Sequence, residues 1–90
     1  MFEHLLKPGK IGSLKLKNRF VMPAMGSGHS DDGAVGEELT AYYARRAKGG
    51  FGLIITEFTA VSPEGLAMPG QLTNYSDDCI PGFARLAEAV

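Results

Sequence analysis

Three small residues and one carboxylate mark where chemistry could happen in this chain. In the stretch NRFVMPAMGSG, residues 18–28, an apolar run ends abruptly in Gly26, Ser27 and Gly28. Glycines just past the end of such a run remove side-chain bulk, so main-chain N–H and C=O groups can lie close to a flat ligand. The alternative reading is that they only turn the chain. Glu57 interrupts a second apolar run, GFGLIITEFTAV, near its end. A carboxylate there needs a partner or a functional reason, so it is either a structural ion pair or hydrogen-bond anchor, or a catalytic acid. His29 follows the glycines as a surface residue or a direct ligand group. Tyr42 and Tyr43 carry hydroxyls that could serve as acids, but their place on a helix flank assigns them to packing. One cysteine, Cys79, excludes an internal disulfide, and with only two histidines no ligand cluster at metal-site spacing exists in the sequence.

The elements that would position these groups follow from the pattern. Residues 19–25 read as a strand whose consecutive Phe20, Val21 and Met22 suit a parallel strand covered on both faces. Residues 37–48, EELTAYYARRAK, read as a helix with Leu39, Tyr42, Tyr43 and Ala47 on one face. Acidic residues fill its first turn, basic residues its last, and Gly49 stands where a left-handed cap belongs. Leu53, Ile54, Ile55 and Thr56 form a second strand. The three elements together make a right-handed βαβ crossover with parallel strands. Ligands of parallel α/β folds collect beyond the carboxyl ends of the strands, where Gly26–Gly28, His29 and Glu57 all fall.

Around this unit, KIGSLKLK at residues 10–17 reads as a hairpin turning at Gly12 and Ser13, with Phe2, Leu5 and Leu6 packed beneath it. Asp31, Asp32 and Gly33 predict a turn. Residues 62–78, rich in proline and glycine, read as a long loop that could rim a site. A second helix starts near Pro81, and its stripe of Ile80, Phe83, Leu86 and Val90 runs to the last residue without a cap, so the sequence reads as the front of a longer chain.

Composition narrows the function classes. The 90 residues are 44% hydrophobic and 21% charged, with a formal net charge of -1. That is ordinary for a globular α/β protein, and the scattered lysines and arginines offer no stripe for nucleic acid. The first ten residues are too polar for a signal-peptide core, and no window approaches a membrane span, so a cytoplasmic location is expected.

LKNRFVMPAM, AYYARRAKGGFGLIITE and YSDDCIPGFARLAEAV closely resemble, at this spacing, the amino-terminal part of the old yellow enzyme family. That family includes NADH:flavin oxidoreductases, 2,4-dienoyl-CoA reductases and 2-enoate reductases. The resemblance implies an α/β fold, the amino-terminal part of a (β/α)8 TIM barrel that residues 1–90 leave incomplete, with FMN over the carboxyl ends of the strands. It implies cofactor contacts at Pro23, Ala24, Met25 and Gly26, and at Phe58, which is bulkier than the small residue many relatives carry. Many smaller relatives have Cys or Thr where this chain has Gly26, and some a substrate-facing Tyr where it has Gly28. A cysteine near Met25 that binds FMN covalently in the trimethylamine dehydrogenase branch is absent, which implies a non-covalent flavin.

The reaction implied is reduction of FMN by NADH or NADPH, followed by hydride transfer to an activated alkene and protonation beside it. The family's substrate-binding histidine or asparagine pair, tyrosine proton donor and phosphate loop fall beyond residue 90. No catalytic residue is therefore assigned here, and no metal site. An iron-sulfur cluster and FAD arise only with extra domains. The expected partners are a small-molecule substrate and the remainder of the barrel, with homo-oligomers left open, and neither nucleic acid nor membrane is expected. Two other readings remain: a non-catalytic barrel fragment, poorly folded by itself, and a flavin barrel of dihydroorotate dehydrogenase type. Position 26 carries a further expectation. A valine there should displace the flavin ring, whereas a cysteine should leave FMN bound and shift its potential.

Overall fold

The computed structural model describes residues 2–90. Two parallel strands and the helix between them form its centre. Strand β3 (Val21–Met22) pairs in parallel with β4 (Leu53–Ile54) in the register Val21↔Leu53, Met22↔Ile54, and α2 (Glu37–Lys48) crosses between them. Upstream, helix α1 (Glu3–Leu6) precedes the antiparallel hairpin of β1 (Gly9–Ile11) and β2 (Leu14–Leu16). Gly12 takes φ 58° at the hairpin tip, a left-handed conformation that glycine adopts without a Cβ penalty. Downstream, β5 (Thr59–Ala60) pairs in parallel with β6 (Leu72–Thr73), and α3 (Ile80–Ala89) closes the chain.

The core sits between the β3–β4 pair and the two helices. Met22, Val35, Leu39, Tyr43, Leu72 and Leu86 are its buried members, with Phe51, Ile54 and Phe83 packed against them. Helix α3 seats against the segment leading into α2 through Gly82, where a Cβ would stand 2.8 Å from the Val35 carbonyl oxygen, so glycine is what lets α3 approach that backbone. Ser76 Oγ accepts from the Asp78 N–H at 3.2 Å and starts the turn leading into α3.

Several expectations change. The first strand is two residues long rather than seven: Phe20 and Met22 face β4, the last bond is the Ile55 N–H donating to the Met22 carbonyl at 2.9 Å, and Ala24, next on that edge, makes no bond to it. Within this chain it is covered on one face only: Met22 is buried under α2, while Val21 on the other face is 41% exposed. Phe2, Leu5 and Leu6 do not pack beneath the hairpin. They lie exposed, Phe2 just before α1 and Leu5 and Leu6 on it, and α1 is tied down through its main chain, the Arg19 N–H donating to the Leu5 carbonyl at 2.9 Å. Gly49 is not the left-handed cap. It keeps helical geometry at φ −68°, and Gly50 takes the positive φ of 111°. The 62–78 stretch is more ordered than a loop, since β6 lies within it and Leu72 is fully buried.

The hairpin, α2, the parallel crossover and the turn at Asp32 and Gly33 (φ 50° and 91°) match their sequence readings. Among the described residues, no helix is long and apolar enough to cross a membrane.

Candidate functional site

The carboxyl ends of β3 and β4 open into a cleft of about 270 Å³, lined among others by Gly26, Ser27, Glu57, Phe58, Met68 and Gln71. Its organising group is Glu57, 2% exposed. The Ser27 hydroxyl donates to its Oε1 at 2.7 Å, the Ser27 N–H to its Oε2 at 3.4 Å, and the Tyr43 hydroxyl to its Oε1 at 3.0 Å. Tyr43 also accepts from the Glu57 main-chain N–H at 2.8 Å. One buried carboxylate thus ties the exit of the first strand, the end of the second and the helix between them. Of the two readings of Glu57, this geometry supports the hydrogen-bond anchor: every close partner is a neutral donor from this chain.

Tyr43 is accordingly more than a packing residue. Its ring is 1% exposed, and burial pushes its phenol up to about 12, with the Glu57 side chain adding to the rise and the bond from the Glu57 main-chain N–H partly offsetting it. A tyrosine pKa raised above its unfolded value of about 10 means that the folded state holds the proton longer. The associated stability is fully present below pH 10 and is lost as pH rises through 12, by roughly 2–3 kcal/mol. Unfolding of the intact protein followed across that window should show the loss, and Tyr43→Phe should flatten it. An unchanged slope in the variant would remove Tyr43 as its source.

His29 is held to one side of the cleft. Its Nδ1 lies 2.6 Å from Glu38 Oε1, and its ring is 5.2 Å from that of Tyr42, itself beneath the Arg46 guanidinium. Its main-chain N–H donates to Ser27 Oγ at 3.2 Å, which completes the hydrogen bonding of that hydroxyl. The opposite rim is stitched by Gln71, whose Oε1 accepts from the Ala67 N–H at 2.6 Å and whose Nε2 donates to the Gly65 carbonyl at 3.2 Å. Ser30 Oγ joins the two rims by donating to the Gly70 carbonyl at 2.7 Å. Cys79 lies apart, 3.9 Å from Thr73 Oγ1.

Residues 23–26 are exposed, and their main chain makes no hydrogen bond to other described residues. Gly28 has φ 73°, and a Cβ there would meet nothing within 4 Å. The first strand therefore ends in bare backbone with free donors and acceptors, as a flat ligand with polar edges requires. Met25 and Phe58, 49% and 43% exposed, supply apolar surface beside it.

The sequence profile of the NADH:flavin oxidoreductase / NADH oxidase family matches residues 4–90. The chain belongs to that family. It is 44% identical over 91 residues to the NADH oxidase of Thermoanaerobacter brockii, covering 99% of this chain and 14% of that protein. It is 42% identical over 92 residues to the NADPH dehydrogenase of Bacillus velezensis, covering all of this chain and 27% of that one. The old yellow enzyme from Trypanosoma cruzi superposes with a TM-score of 0.85 at 31% identity, over 98% of this chain and 24% of that structure. The chain thus spans about a quarter or less of the relatives it matches. Its two parallel strands and crossover helix have the fold of the amino-terminal part of the old yellow enzyme TIM barrel.

Sequence reasoning missed three features of this site. The role of Gln71 had no signal, since a glutamine after Pro69-Gly70 resembles any loop glutamine. The bond between Ser27 and Glu57 had none either. The Tyr43 partner was within reach: a carboxylate in a buried strand and a tyrosine on the helix face turned toward that strand are complementary.

Proposed function

We propose that this chain forms the first part of an FMN-dependent oxidoreductase that takes hydride from NADH or NADPH and reduces an activated alkene. The observation that carries the proposal is the bare backbone of residues 23–26 at the carboxyl end of β3, in a chain of this family. The exposed main chain of Ala24, Met25 and Gly26 would meet the polar edge of the ring system, with Pro23 setting the direction of the exit. Met25 and Phe58 would give it an apolar wall. The Glu57 anchor keeps the two strand ends in register, so the cleft need not reorganise when a ligand enters.

FMN, when bound, supplies the hydride chemistry. This chain's residues bind and orient it. No side chain in the cleft is a free acid or base: the hydroxyls of Ser27 and Tyr43 and the carboxylate of Glu57 are spent on one another. The proton donor and the substrate-anchoring groups would then come from the remainder of the barrel. That assignment matches the apolar surface which Val21, Ile55 and Val61 leave uncovered, 41%, 47% and 74% exposed.

The intact protein should purify yellow with about one FMN per chain, release it on denaturation, and be bleached by NADH or NADPH and recoloured by an enone. Met25→Asp should weaken FMN binding at least ~10-fold, or ~1.4 kcal/mol, by placing a carboxylate in the apolar wall. A protein that takes up no FMN would refute the reading. Undiminished binding in Met25→Asp would refute the placement of the flavin on the first strand.

A further inference from the structure

Position 26 is glycine for a reason the backbone does not supply. Gly12, Gly28, Gly33, Gly50 and Gly70 have positive φ, whereas Gly26 does not. What sets it apart is its neighbour: a Cβ on Gly26 would lie 3.0 Å from Phe58 Cε1 and 3.7 Å from Cδ1. The edge of the Phe58 ring stands where a side chain at position 26 would begin.

From this we infer that Phe58 takes the place of a residue-26 side chain in the cleft wall, and that the two positions act as one unit which determines what the wall presents to the ligand. The surroundings hold them together. Ser27, next to Gly26, and Glu57, next to Phe58, are joined through the 2.7 Å and 3.4 Å hydrogen bonds described above. On the far side of Phe58, Thr59 Oγ1 donates to the Glu57 carbonyl at 2.8 Å, and Thr59 pairs with Leu72 in the β5–β6 ladder. The main chain on both flanks of the ring is fixed, so added atoms at position 26 are met by a displacement of the ring itself. A cysteine at position 26 therefore requires the Phe58 ring to give way by a few tenths of an ångström. The wall at this point is aromatic carbon, with no thiol or hydroxyl to hydrogen-bond a ligand. It selects an apolar or conjugated ligand face.

The ligand part of this inference rests on the FMN reading, and the steric part does not. A double-mutant cycle in the intact protein, with Gly26→Cys, Phe58→Ala and both together, separates them. Gly26→Cys alone should lower Tm by several degrees and weaken FMN binding about 10-fold. Combined with Phe58→Ala, the same substitution should cost less than about a quarter of that Tm loss and restore FMN affinity to within about 3-fold of Phe58→Ala alone. Equal effects of Gly26→Cys with and without Phe58→Ala, in both readouts, would overturn the inference while leaving the flavin proposal standing. If the parent protein binds no FMN, the flavin proposal falls and the Tm cycle still decides the steric pair.

Discussion

Glu57→Ala is expected to cost the intact protein about 3–5 kcal/mol, from about 1–3 kcal/mol for each buried donor left without an acceptor together with the cavity it leaves. The reason is the number of groups left without an acceptor. The Tyr43 hydroxyl, in a ring 1% exposed, would lose its acceptor, and both the hydroxyl and the N–H of Ser27 would lose theirs. A vacant space would remain between α2 and the two strand ends. For a barrel of ~250 residues unfolding as one unit, this is a fall in Tm of roughly 10 °C. Glu57→Gln is the informative comparison. Its amide oxygen can keep the Ser27 and Tyr43 hydroxyls, while its NH2 must face the Ser27 N–H and the charge-assisted part of each bond is lost. It should cost about 1 kcal/mol. A Tm change below ~2 °C for Glu57→Ala would mean that the carboxylate is not the anchor. On the FMN placement proposed above, flavin retention should follow the same order, since the exit of the first strand is what Glu57 holds in place.

Why Glu57 could be singled out from the sequence, and most of its partners could not, is a matter of range. A charge inside an apolar run is visible locally, and so is the 3.6-residue rhythm that fixed α2 at residues 37–48. The parallel crossover follows from two apolar runs and the helix between them. What pairs across 30 residues leaves no local trace: Ser27 with Glu57, and Ser30 with Gly70 across 40. The β5–β6 ladder escaped because Leu72 and Thr73 follow a run of proline and glycine, and two residues are too few to show a period. Strand length was overestimated for a related reason. An apolar run records which residues face a core, but the ladder stops where the bonding edge leaves its partner, here at Ala24, the next residue on that edge after Met22. The Gly26 and Phe58 juxtaposition shows the limit most plainly. Bulk at one position and its absence at the other could each be read from the sequence, yet only the fold brings the ring over the glycine.

The two motifs that best marked the family, LKNR and GGFG, meet at the amino-terminal ends of the strands, and their meeting gives the second large expected effect. Asn18 Nδ2 donates to the Gly50 carbonyl at 2.6 Å, and Asn18 Oδ1 accepts from the Phe20 N–H at 3.0 Å. The Phe20 carbonyl in turn accepts from Gly52 at 3.0 Å and Leu53 at 3.3 Å. These bonds set the register in which Val21 meets Leu53. They also bring the chains so close that a Cβ on Gly52 would lie 2.5 Å from the Asn18 carbonyl oxygen and 2.6 Å from its Oδ1. Gly52→Ala must push the strands apart at the first rung of the ladder, at a cost of about 3 kcal/mol or more, the upper end for overpacking. Gly50→Ala offers a contrast within the same turn. A Cβ there meets nothing within 4 Å, and the penalty comes only from the φ of 111°, so roughly 1–2 kcal/mol is expected. Asn18→Ala discriminates the cause. It removes the side-chain oxygen but leaves the carbonyl at 2.5 Å, so adding it to Gly52→Ala should give no rescue in Tm. Recovery of the Gly52→Ala protein by Asn18→Ala would show that the obstacle is the side chain alone, and the backbone approach would no longer explain the glycine.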